Sequence, residues 1–401
     1  MSPHLLYLTH RIPFPPNKGD KIRSYHLLQH LRQNYTVHIG SFIDDPADWQ
    51  YESDIKALSD EYCLRPLSPR LGKLRSLSGF LSGEALSLPY YRDKTLQAWV
   101  NEIIAKYDIL DMVIFSSAMA QYVESYSQAR RIMDFVDIDS DKWQQYALTK
   151  KWPYHQIYRR EGKRLFDYEC HIARQFTASF FVSSQEAELF QRLAPDTAKK
   201  IDYFNNGVDA SHFSPEHAYP NPYLPGESAL VFTGAMDYWP NVDAADWFAR
   251  EIFPLILQQH RSARFYIVGS NPVQTVRQLA RLPGVIVTGK VDDVRPYLAH
   301  ARFAVAPLRI ARGVQNKVLE AVSMAKSVVA TPQAIAGVSA TIQAHCAVGA
   351  QSRDFAAQAI ALLGSPPSPN LAGRQAIVEQ YDWQRNLLRI NTHLTGTSHE
   401  Q

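Results

Sequence analysis

The chain has 401 residues, of which 46% are hydrophobic and 20% charged, a composition typical of a globular protein with two or three domains. Its formal net charge of +3 is too small to indicate a nucleic-acid partner, so we expect none. The three cysteines, Cys63, Cys170 and Cys346, lie far apart, which argues against a disulfide framework or a paired metal motif and indicates a reducing compartment. There is no basic signal-peptide region and no apolar run of roughly 20 residues, so we expect a cytoplasmic protein.

Strand-like and helix-like segments alternate along the first half of the chain. "HLLYLTH" predicts a short buried strand, the loop "RIPFPPNKGDK" follows, and a helix begins near Lys21. Further strands are predicted at "YTVHIGSF", "DMVIFSS", "RRIMDFVD" and "ASFFVSS", separated by helical stretches such as "DKTLQAWVNEIIAKY" and "QEAELFQRL". This is the βαβ pattern of a parallel sheet, and it predicts a Rossmann-like α/β domain over residues 1–205.

The same alternation restarts after residues 206–227, a stretch dense in Pro, Asn and Gly that we interpret as a linker. Strands are predicted at "ALVFTGA", "ARFYIVGS", "GVIVTGK", "FAVAPL" and "KSVVAT", and helices at "VDAADWFAREIFPLILQQ" and "NKVLEAVSMA". We predict a second Rossmann-like domain over residues 228–380, with a C-terminal helix of about 381–401 packing back on the first domain. Ligands of open parallel sheets bind at the carboxyl ends of the strands, which we expect to face a cleft between the domains.

The second predicted domain has residues suited to a phosphate ligand. Gly234 and Gly269 follow strands, where a missing side chain lets a ligand approach the backbone. The helix beginning around Gln315 would direct free N–H groups toward the same edge, with Arg309, Arg312 and Lys317 as counter-charge. Glu320, one turn inside that helix, would then face a sugar hydroxyl such as that of a ribose. The alternative for Glu320 is an ordinary ion pair with Lys317 three residues earlier.

Four segments together resemble the retaining glycosyltransferases of family 4, which are two-domain GT-B enzymes that use nucleotide sugars. The segments are "KIDYFNNGVDASHFSP", "VFTGAMDYWPN", "VTGKVDDVRPYLAHARFAVAPL" and "GVQNKVLEAVSMAKSVVAT". "LTHRIPFPPNKGDKIRSYHLLQHL" resembles the acceptor-side loop and helix, so the resemblance extends over nearly the whole chain. Within the family, "PFPPNKGDKIRSYH" and "FVDIDSDKWQQYA" are most similar to sugar transferases associated with bacterial exopolysaccharide and PEP-CTERM systems.

The resemblance implies roles for individual residues. Glu320 matches the second glutamate of the family's E-x7-E element, which binds the nucleotide ribose, and Val291 lies where the main chain holds the base. The segment that contacts the diphosphate and donor sugar corresponds to Gly313, Val314, Gln315, Asn316 and Lys317. On the acceptor side, Gly19 matches a glycine loop near the transferred sugar, followed by Asp20 and Lys21.

Several positions depart from the family pattern. Arg312 replaces the first glutamate of the E-x7-E element. Met236 and Pro240 or Asn241 stand where an arginine and a lysine usually hold the diphosphate, and we include Asn241 among the donor-binding residues. Ala325 and Ser327 replace a favoured glycine and proline. We hypothesise that Arg309, Arg312 and Lys317 supply the missing positive charge, and we assign Lys317, Arg312 and Glu320 to catalysis.

Two further candidates lie at strand ends of the first domain. "DIDSD" places Asp137, Asp139 and Asp141 at alternating positions, which suits a divalent metal or a metal-dependent GT-A transferase. Lys142 and Leu148 stand where an EF-hand needs Gly and Glu, and the two-sheet architecture favours an acceptor-facing role for Asp137 or a helix N-cap at Asp139 or Ser140. His10, directly after the first strand, is a candidate acceptor-binding residue, with a structural role as the alternative. We predict no metal or other cofactor.

Two basic segments of the first domain, "RPLSPRLGKLRSLSGFLSG" and "KKWPYHQIYRREGKRLF", mix cations with apolar residues. They suit peripheral contact with anionic lipid at the inner face of the membrane, and the alternative is a pair of solvated helix faces.

The resemblance implies a metal-independent retaining glycosyltransferase that transfers a sugar from a UDP-sugar, or a GDP-sugar, to a saccharide or lipid-linked acceptor in exopolysaccharide or cell-surface glycan synthesis. The alternatives are a nucleotide-sugar epimerase of the same fold and a non-catalytic nucleotide-sugar-binding subunit.

Overall fold

The computed structural model describes residues 2–16, 19–149, 151–311 and 313–394, which form two units. Unit 1 comprises Met1–Asn205 and Leu387–Gln401, and unit 2 comprises Asn206–Asn386. Each unit contains one parallel β-sheet whose strands alternate with helices along the chain. Two parallel α/β units confirm the predicted fold class. The described helices include none that is both long enough and apolar enough to cross a membrane.

Unit 1 has a seven-stranded sheet in the order β3-β2-β1-β4-β5-β6-β7, with every described pairing parallel. The strands are β1 (His4–Thr9), β2 (Thr36–Ile43), β3 (Tyr62–Pro66), β4 (Asp111–Phe115), β5 (Arg130–Val136), β6 (Ala178–Phe181) and β7 (Ile201–Tyr203). The helices are α1 (Gly19–Leu31), α2 (Glu52–Leu58), α3 (Pro69–Ser76), α4 (Ser78–Ser82), α5 (Ser87–Tyr90), α6 (Lys94–Tyr107), α7 (Asp139–Thr149), α8 (Tyr154–Gln175) and α9 (Ser184–Leu193). Short 3₁₀ helices cover Pro46–Tyr51, Ser117–Tyr122 and Pro195–Lys200.

Unit 2 has a six-stranded parallel sheet in the order β10-β9-β8-β11-β12-β13. The strands are β8 (Ser228–Thr233), β9 (Ala263–Val268), β10 (Val285–Gly289), β11 (Phe303–Ala306), β12 (Val328–Ala330) and β13 (Cys346–Val348). The helices are α10 (Trp239–Trp247), α11 (Phe253–Gln259), α12 (Gln274–Leu279), α13 (Arg295–His300), α14 (Asn316–Ser323), α15 (Pro332–Ile335), α16 (Ala340–Gln343), α17 (Ser352–Gly364) and α18 (Leu371–Gln380). The last helix, α19 (Trp383–Leu394), begins in unit 2 and belongs to unit 1 from Leu387 onward.

The strands that sequence analysis missed, β3, β7 and β13, are all edge strands, whereas every interior strand and the edge strand β10 were predicted. β3 and β7 border the first sheet, and β13 borders the second. Interior strands are covered on both faces and are therefore mostly apolar, as in β4, whose five residues are all buried and, apart from Asp111, apolar. β7 and β13 have only three residues each, too few to show a period.

Two predicted helices are interrupted in the structure. The helix expected over 242–259 is divided by a π-helical turn at Phe248–Ile252, just before Pro254, which has no N–H to donate to a continuing helix. The final helical stretch is divided between α18 and α19, where the Tyr381 carbonyl accepts a hydrogen bond from the Val208 N–H at 2.9 Å. The part of α19 that belongs to unit 1 contacts α1, with 2.8 Å between His30 Nε2 and Asn391 Oδ1.

A fully buried ion pair joins α1 to β5 in unit 1. Arg23 Nε donates to Asp134 Oδ2 at 2.8 Å, and neither side chain has any exposed surface. The Arg23 guanidinium also lies 3.6 Å from the centre of the Phe204 ring and donates to the Phe204 carbonyl at 2.8 Å. These contacts satisfy a charge that would otherwise be costly to bury.

Candidate functional site

Backbone hydrogen bonds join the carboxyl ends of β8, β9 and β10. Gly234 N donates to Val268 O at 3.1 Å, and Gly269 N donates to Gly289 O at 3.2 Å. A Cβ on Gly269 would lie 1.6 Å from the Gly234 carbonyl oxygen, so only glycine permits this approach. The structure therefore brings the two predicted glycines, Gly234 and Gly269, to one edge of the sheet.

Lys317 lies at this same edge and is held by Asn241. Lys317 Nζ donates to Asn241 Oδ1 at 2.6 Å, and Asn241 Nδ2 donates to the Ala235 carbonyl at 2.9 Å. The ammonium also lies 4.7 Å from the centre of the Phe232 ring. Burial lowers the pKa of Lys317 to about 8, against the opposing influence of Glu320. The ammonium is thus oriented by neutral groups, which leaves its charge available to a ligand.

Glu320 lies one turn further along α14 and is half-buried. Burial raises the pKa of Glu320 to about 7, partly opposed by the charge of Lys317. Within the ranges that the structure describes, no hydrogen-bond or ion-pair partner within 4 Å is found for this carboxylate. Lys317 instead donates to Asn241, so a direct ion pair between Lys317 and Glu320 is not formed.

The first turn of α14 offers further hydrogen-bonding groups. Gln315 is the N-cap in an extended conformation, and its side chain forms no capping hydrogen bond. Asn316 Oδ1 is buried without a hydrogen-bond partner among the described residues. A helix start with uncapped N–H groups and a nearby cation is a favourable place for a phosphate group.

The loop before α14 is fixed by close packing. Val314 is buried, and a Cβ on Gly337 would lie 2.1 Å from the Gly313 carbonyl oxygen.

The predicted counter-charge Arg309 contacts α10 instead of the start of α14. Its Nε donates to Asp243 Oδ2 at 3.0 Å, and its guanidinium lies over Trp247. Arg312 lies outside the described residues.

Val291 follows β10 by two residues and is half-buried against the core of unit 2. It lies beyond Gly289, whose carbonyl accepts the hydrogen bond from Gly269. The segment therefore begins at the same edge of the sheet as Gly234 and Gly269.

The carboxyl ends of β1 and β2 in unit 1 carry a charged cluster. Arg11 donates to Asp44 through both Nε and Nη2, at 3.0 and 2.6 Å, and to Asp20 through Nη1 at 2.6 Å. His10 Nε2 lies 3.6 Å from Asp20 Oδ2. Although burial acts to raise it, the pKa of Asp20 is held well below its usual range by His10 and Arg11.

The His10 ring is positioned by aromatic neighbours. It stacks on Phe115 with 5.8 Å between ring centres and meets the edge of Tyr91 at 6.1 Å. Its Nδ1 is buried and has no hydrogen-bond partner within the described ranges. The described residues therefore leave the hydrogen-bonding capacity of this nitrogen unsatisfied.

The other acceptor-side candidates differ in their surroundings. Lys21 is buried, and its Nζ donates to Asp48 Oδ2 at 2.6 Å, so this charge is used inside unit 1. Gly19 begins α1, and a Cβ there would meet no atom within 4 Å. Glycine is therefore not sterically required at this position.

Asp137 follows a strained turn at the end of β5. Val136 has a φ of 69°, and Asp137 N donates to Phe135 O at 2.9 Å, which closes a tight γ-turn. A β-branched residue with positive φ is energetically costly, and such strain is concentrated at functional sites. Lys142 Nζ donates to Asp137 at 2.8 Å and to Asp139 at 3.1 Å. In the part of the chain described, no three His, Cys, Asp or Glu side chains are grouped to hold a metal ion.

Sequence analysis missed Arg11, Asp44 and Tyr91. Arg11 comes directly after His10, and Asp44 follows the predicted second strand. Both positions are at the carboxyl ends of strands, which could have identified them from sequence as candidate site residues. Tyr91 lies more than 40 residues further along the chain, and only the tertiary structure brings it to His10.

Comparisons with known proteins agree with this architecture. Residues 227–365 match the family described as "Glycosyl transferases group 1". Among solved structures, Anabaena HepE in complex with UDP and glucose has 13% identity and a TM-score of 0.64, with 98% of this chain and 99% of that chain covered. Sucrose-phosphate synthase from Thermosynechococcus elongatus has 14% identity and a TM-score of 0.68, with 98% of each chain covered.

A third similar structure is WaaG, a glycosyltransferase involved in lipopolysaccharide biosynthesis, with 13% identity and a TM-score of 0.66 over 98% of this chain and 100% of that chain. The fold is of the GT-B type. No curated protein matches the chain.

Proposed function

We propose that this chain is a glycosyltransferase that uses a nucleoside-diphosphate sugar and retains the anomeric configuration of the transferred sugar. The observation that supports it most is the arrangement at the start of α14. There Asn241 orients the Lys317 ammonium beside Gly234, and the Glu320 carboxylate lies one turn further along. These residues lie within the region that matches the group 1 glycosyltransferases.

In this proposal the donor diphosphate binds at the N-terminus of α14. Lys317 and the helix N–H groups neutralise the charge that develops on the leaving phosphate. Ionised Glu320 accepts hydrogen bonds from ribose hydroxyls, and Asn241 is a positioning residue because it acts through Lys317. Gly234 and Gly269 allow the strand ends and the Asn241 and Lys317 side chains to pack closely at this edge.

The retaining step is expected from the resemblance to family 4. The bond between the anomeric carbon and the diphosphate oxygen breaks, and the acceptor oxygen forms its bond on the same face. The acceptor's proton passes to the departing phosphate. This chemistry needs aligned substrates and a stabilised leaving group, and we propose that it requires no metal.

We propose the edge of unit 1 as the acceptor site. His10 lies beside Asp20, and the carboxylates of Asp20, Asp44 and Asp137 can accept hydrogen bonds from saccharide hydroxyls. A saccharide or lipid-linked acceptor fits this set, with exopolysaccharide or cell-surface glycan synthesis at the cytoplasmic face as the biological role. The structure of WaaG, named for lipopolysaccharide biosynthesis, supports that direction.

UDP is the favoured nucleotide because HepE, one of the similar structures, contains UDP with glucose and also UDP-glucose. UDP-, GDP-, ADP- and dTDP-sugars should be assayed with and without a lipid extract and EDTA, and the anomeric configuration of the product determined by NMR. We expect acceptor-dependent, EDTA-insensitive transfer from one donor with retention.

The alternatives give different results in the same assay. Conversion of donor without acceptor would indicate an epimerase, and binding without turnover would indicate a non-catalytic subunit. Loss of activity in EDTA would contradict the metal-independent mechanism. Lys317→Met should abolish donor binding, whereas Arg281→Met, which removes an exposed cation of the same unit, should not.

A further inference from the structure

Helices α3 and α4 of unit 1 pack against the domain through glycines and direct their leucines outward. The buried residues of these helices are Gly72 and Gly79. A Cβ on Gly72 would lie 2.6 Å from the Tyr90 ring, so the close packing of α3 on Tyr90 requires glycine at this position. This reverses the usual arrangement, in which a helix buries its large apolar residues.

The outward face is strongly apolar. Its exposed residues are Leu71, Leu74, Leu77, Phe80 and Leu81, and Leu81 is 94% exposed. The leucines recur at intervals of three or four residues, so they form one stripe along the two helices. A contiguous exposed apolar stripe of this kind marks an interaction site.

A second exposed apolar segment lies around the start of α8, the helix that contacts α4. Leu148 and Trp152, which lie before α8, are 83% and 80% exposed, and Tyr154 at the start of α8 is also exposed. Arg160, further along α8, contacts α4, because its Nη2 donates to the Gly79 carbonyl at 2.6 Å and its guanidinium lies 4.9 Å from the Phe80 ring centre. We call the combined area the apolar-basic surface.

The exposed charges of residues 69–82 and 151–164 are positive, and the nearest exposed acid further along α8 is Asp167. The exposed cations are Arg70, Lys73, Lys151, Arg159, Lys163 and Arg164. Residues 69–82 contain no acid, and the acid within 151–164 is Glu161. Glu161 is buried and accepts hydrogen bonds from the Leu86 and Ser87 N–H groups at 2.6 and 2.9 Å, so it does not neutralise the exposed cations.

We propose that the apolar-basic surface docks on a bilayer that contains anionic lipid. The leucines enter the acyl boundary, Trp152 lies at the headgroup level, and the cations contact lipid phosphates. A second copy of this chain suits the surface poorly, because a two-fold contact would place these cations opposite one another. The proposal does not depend on the proposed glycosyltransferase activity.

The test is co-sedimentation of the full chain with vesicles of phosphatidylcholine alone or with about a third phosphatidylglycerol, at low and high salt. We expect binding to the anionic vesicles that weakens as salt increases. Arg70→Glu/Lys73→Glu should weaken binding at least about 25-fold, since each basic residue near such a surface contributes about fivefold. Leu74→Glu/Leu81→Glu should weaken it more than about tenfold through loss of apolar insertion.

Matched controls are available in the same unit. Leu110→Glu changes an exposed leucine elsewhere, and Lys56→Glu/Arg192→Glu reverses two exposed cations elsewhere. Both should bind vesicles as the wild type does, and all variants should keep the wild-type affinity for nucleotide sugar. Equal loss in variant and control, or no binding to anionic vesicles, would overturn the proposal. Self-association that Leu74→Glu/Leu81→Glu abolishes, without vesicle binding, would assign the surface to a second copy instead.

Discussion

The affinity for nucleotide sugar should depend on pH in a way that Glu320 and Lys317 determine. Burial raises the pKa of Glu320 to about 7 and lowers that of Lys317 to about 8. In the proposed complex Glu320 must be ionised to accept ribose hydroxyls, and Lys317 must be protonated to hold the diphosphate. The competent protonation state is therefore most populated between these two values, and the affinity should decrease on either side.

The magnitude follows from the ionised fractions. At about pH 6, one unit below its pKa, roughly one-tenth of Glu320 is ionised, so the dissociation constant should rise about tenfold. At about pH 9 roughly one-tenth of Lys317 is protonated, which gives a similar loss on the alkaline side. Glu320→Gln should abolish the acid limb and weaken binding about fivefold near pH 7.5, because a neutral acceptor forms a weaker hydrogen bond than a carboxylate.

Isothermal titration calorimetry with the intact nucleotide sugar measures this dependence. The sugar ester is preferred to the free nucleotide, whose terminal phosphate titrates near pH 6 and would add its own pH dependence. Glu379→Gln, at an exposed position of unit 2, is the matched control and should retain the acid limb. An acid limb that persists in Glu320→Gln, or wild-type affinity that is constant from about pH 6 to pH 8, would refute the assignment of Glu320 to the ribose.

Three other changes test the folded structure. Burial raises the pKa of Glu320 from 4.5 to about 7, so the folded protein holds this proton more tightly than the unfolded chain does. The stability that the proton contributes in the absence of ligand is lost as the pH rises through about 7. Near pH 8, Glu320→Gln should therefore be more stable than the wild type in urea unfolding. Arg23→Leu should lower the free energy of unfolding by about 3–5 kcal/mol, because it leaves Asp134 buried and unpaired. The double variant Arg23→Leu/Asp134→Leu should recover most of this loss. No recovery would contradict the ion-pair explanation. Ala325 follows α14 with a φ of 53°, so Ala325→Gly should raise stability by about 0.5 kcal/mol, and a decrease would show that the left-handed conformation is unstrained.

The place in the fold of the candidate residues of unit 2 follows from their place in the chain. Gly234, Gly269, Asn241 and Lys317 were predicted, and the structure brings them to one edge of the sheet in unit 2. They follow strands or begin a helix, so their position in the chain already implies their position in a parallel fold. Ala325 is similar, because it stands where the family favours glycine and adopts a left-handed φ.

What a side chain contacts was not readable from the chain. Arg309 and Lys21 were predicted to face ligands, yet Arg309 pairs with Asp243 and Lys21 with Asp48. The sequence does not show whether a cationic side chain will contact a ligand or a carboxylate that the fold brings near it. Neighbours such as Asp243, 66 residues before Arg309, are known only when the fold is known.

The sequence by itself determined the alternation of apolar strands and helices, and with it the two parallel sheets, because burial on both faces requires continuous apolar strands. It also predicted that Gly234, Gly269 and the start of α14 lie at the carboxyl ends of the strands. Only the tertiary structure decided which charges remain available, since that depends on residues distant in sequence. It likewise decided that α3 and α4 turn their glycines inward, which leaves the leucines exposed.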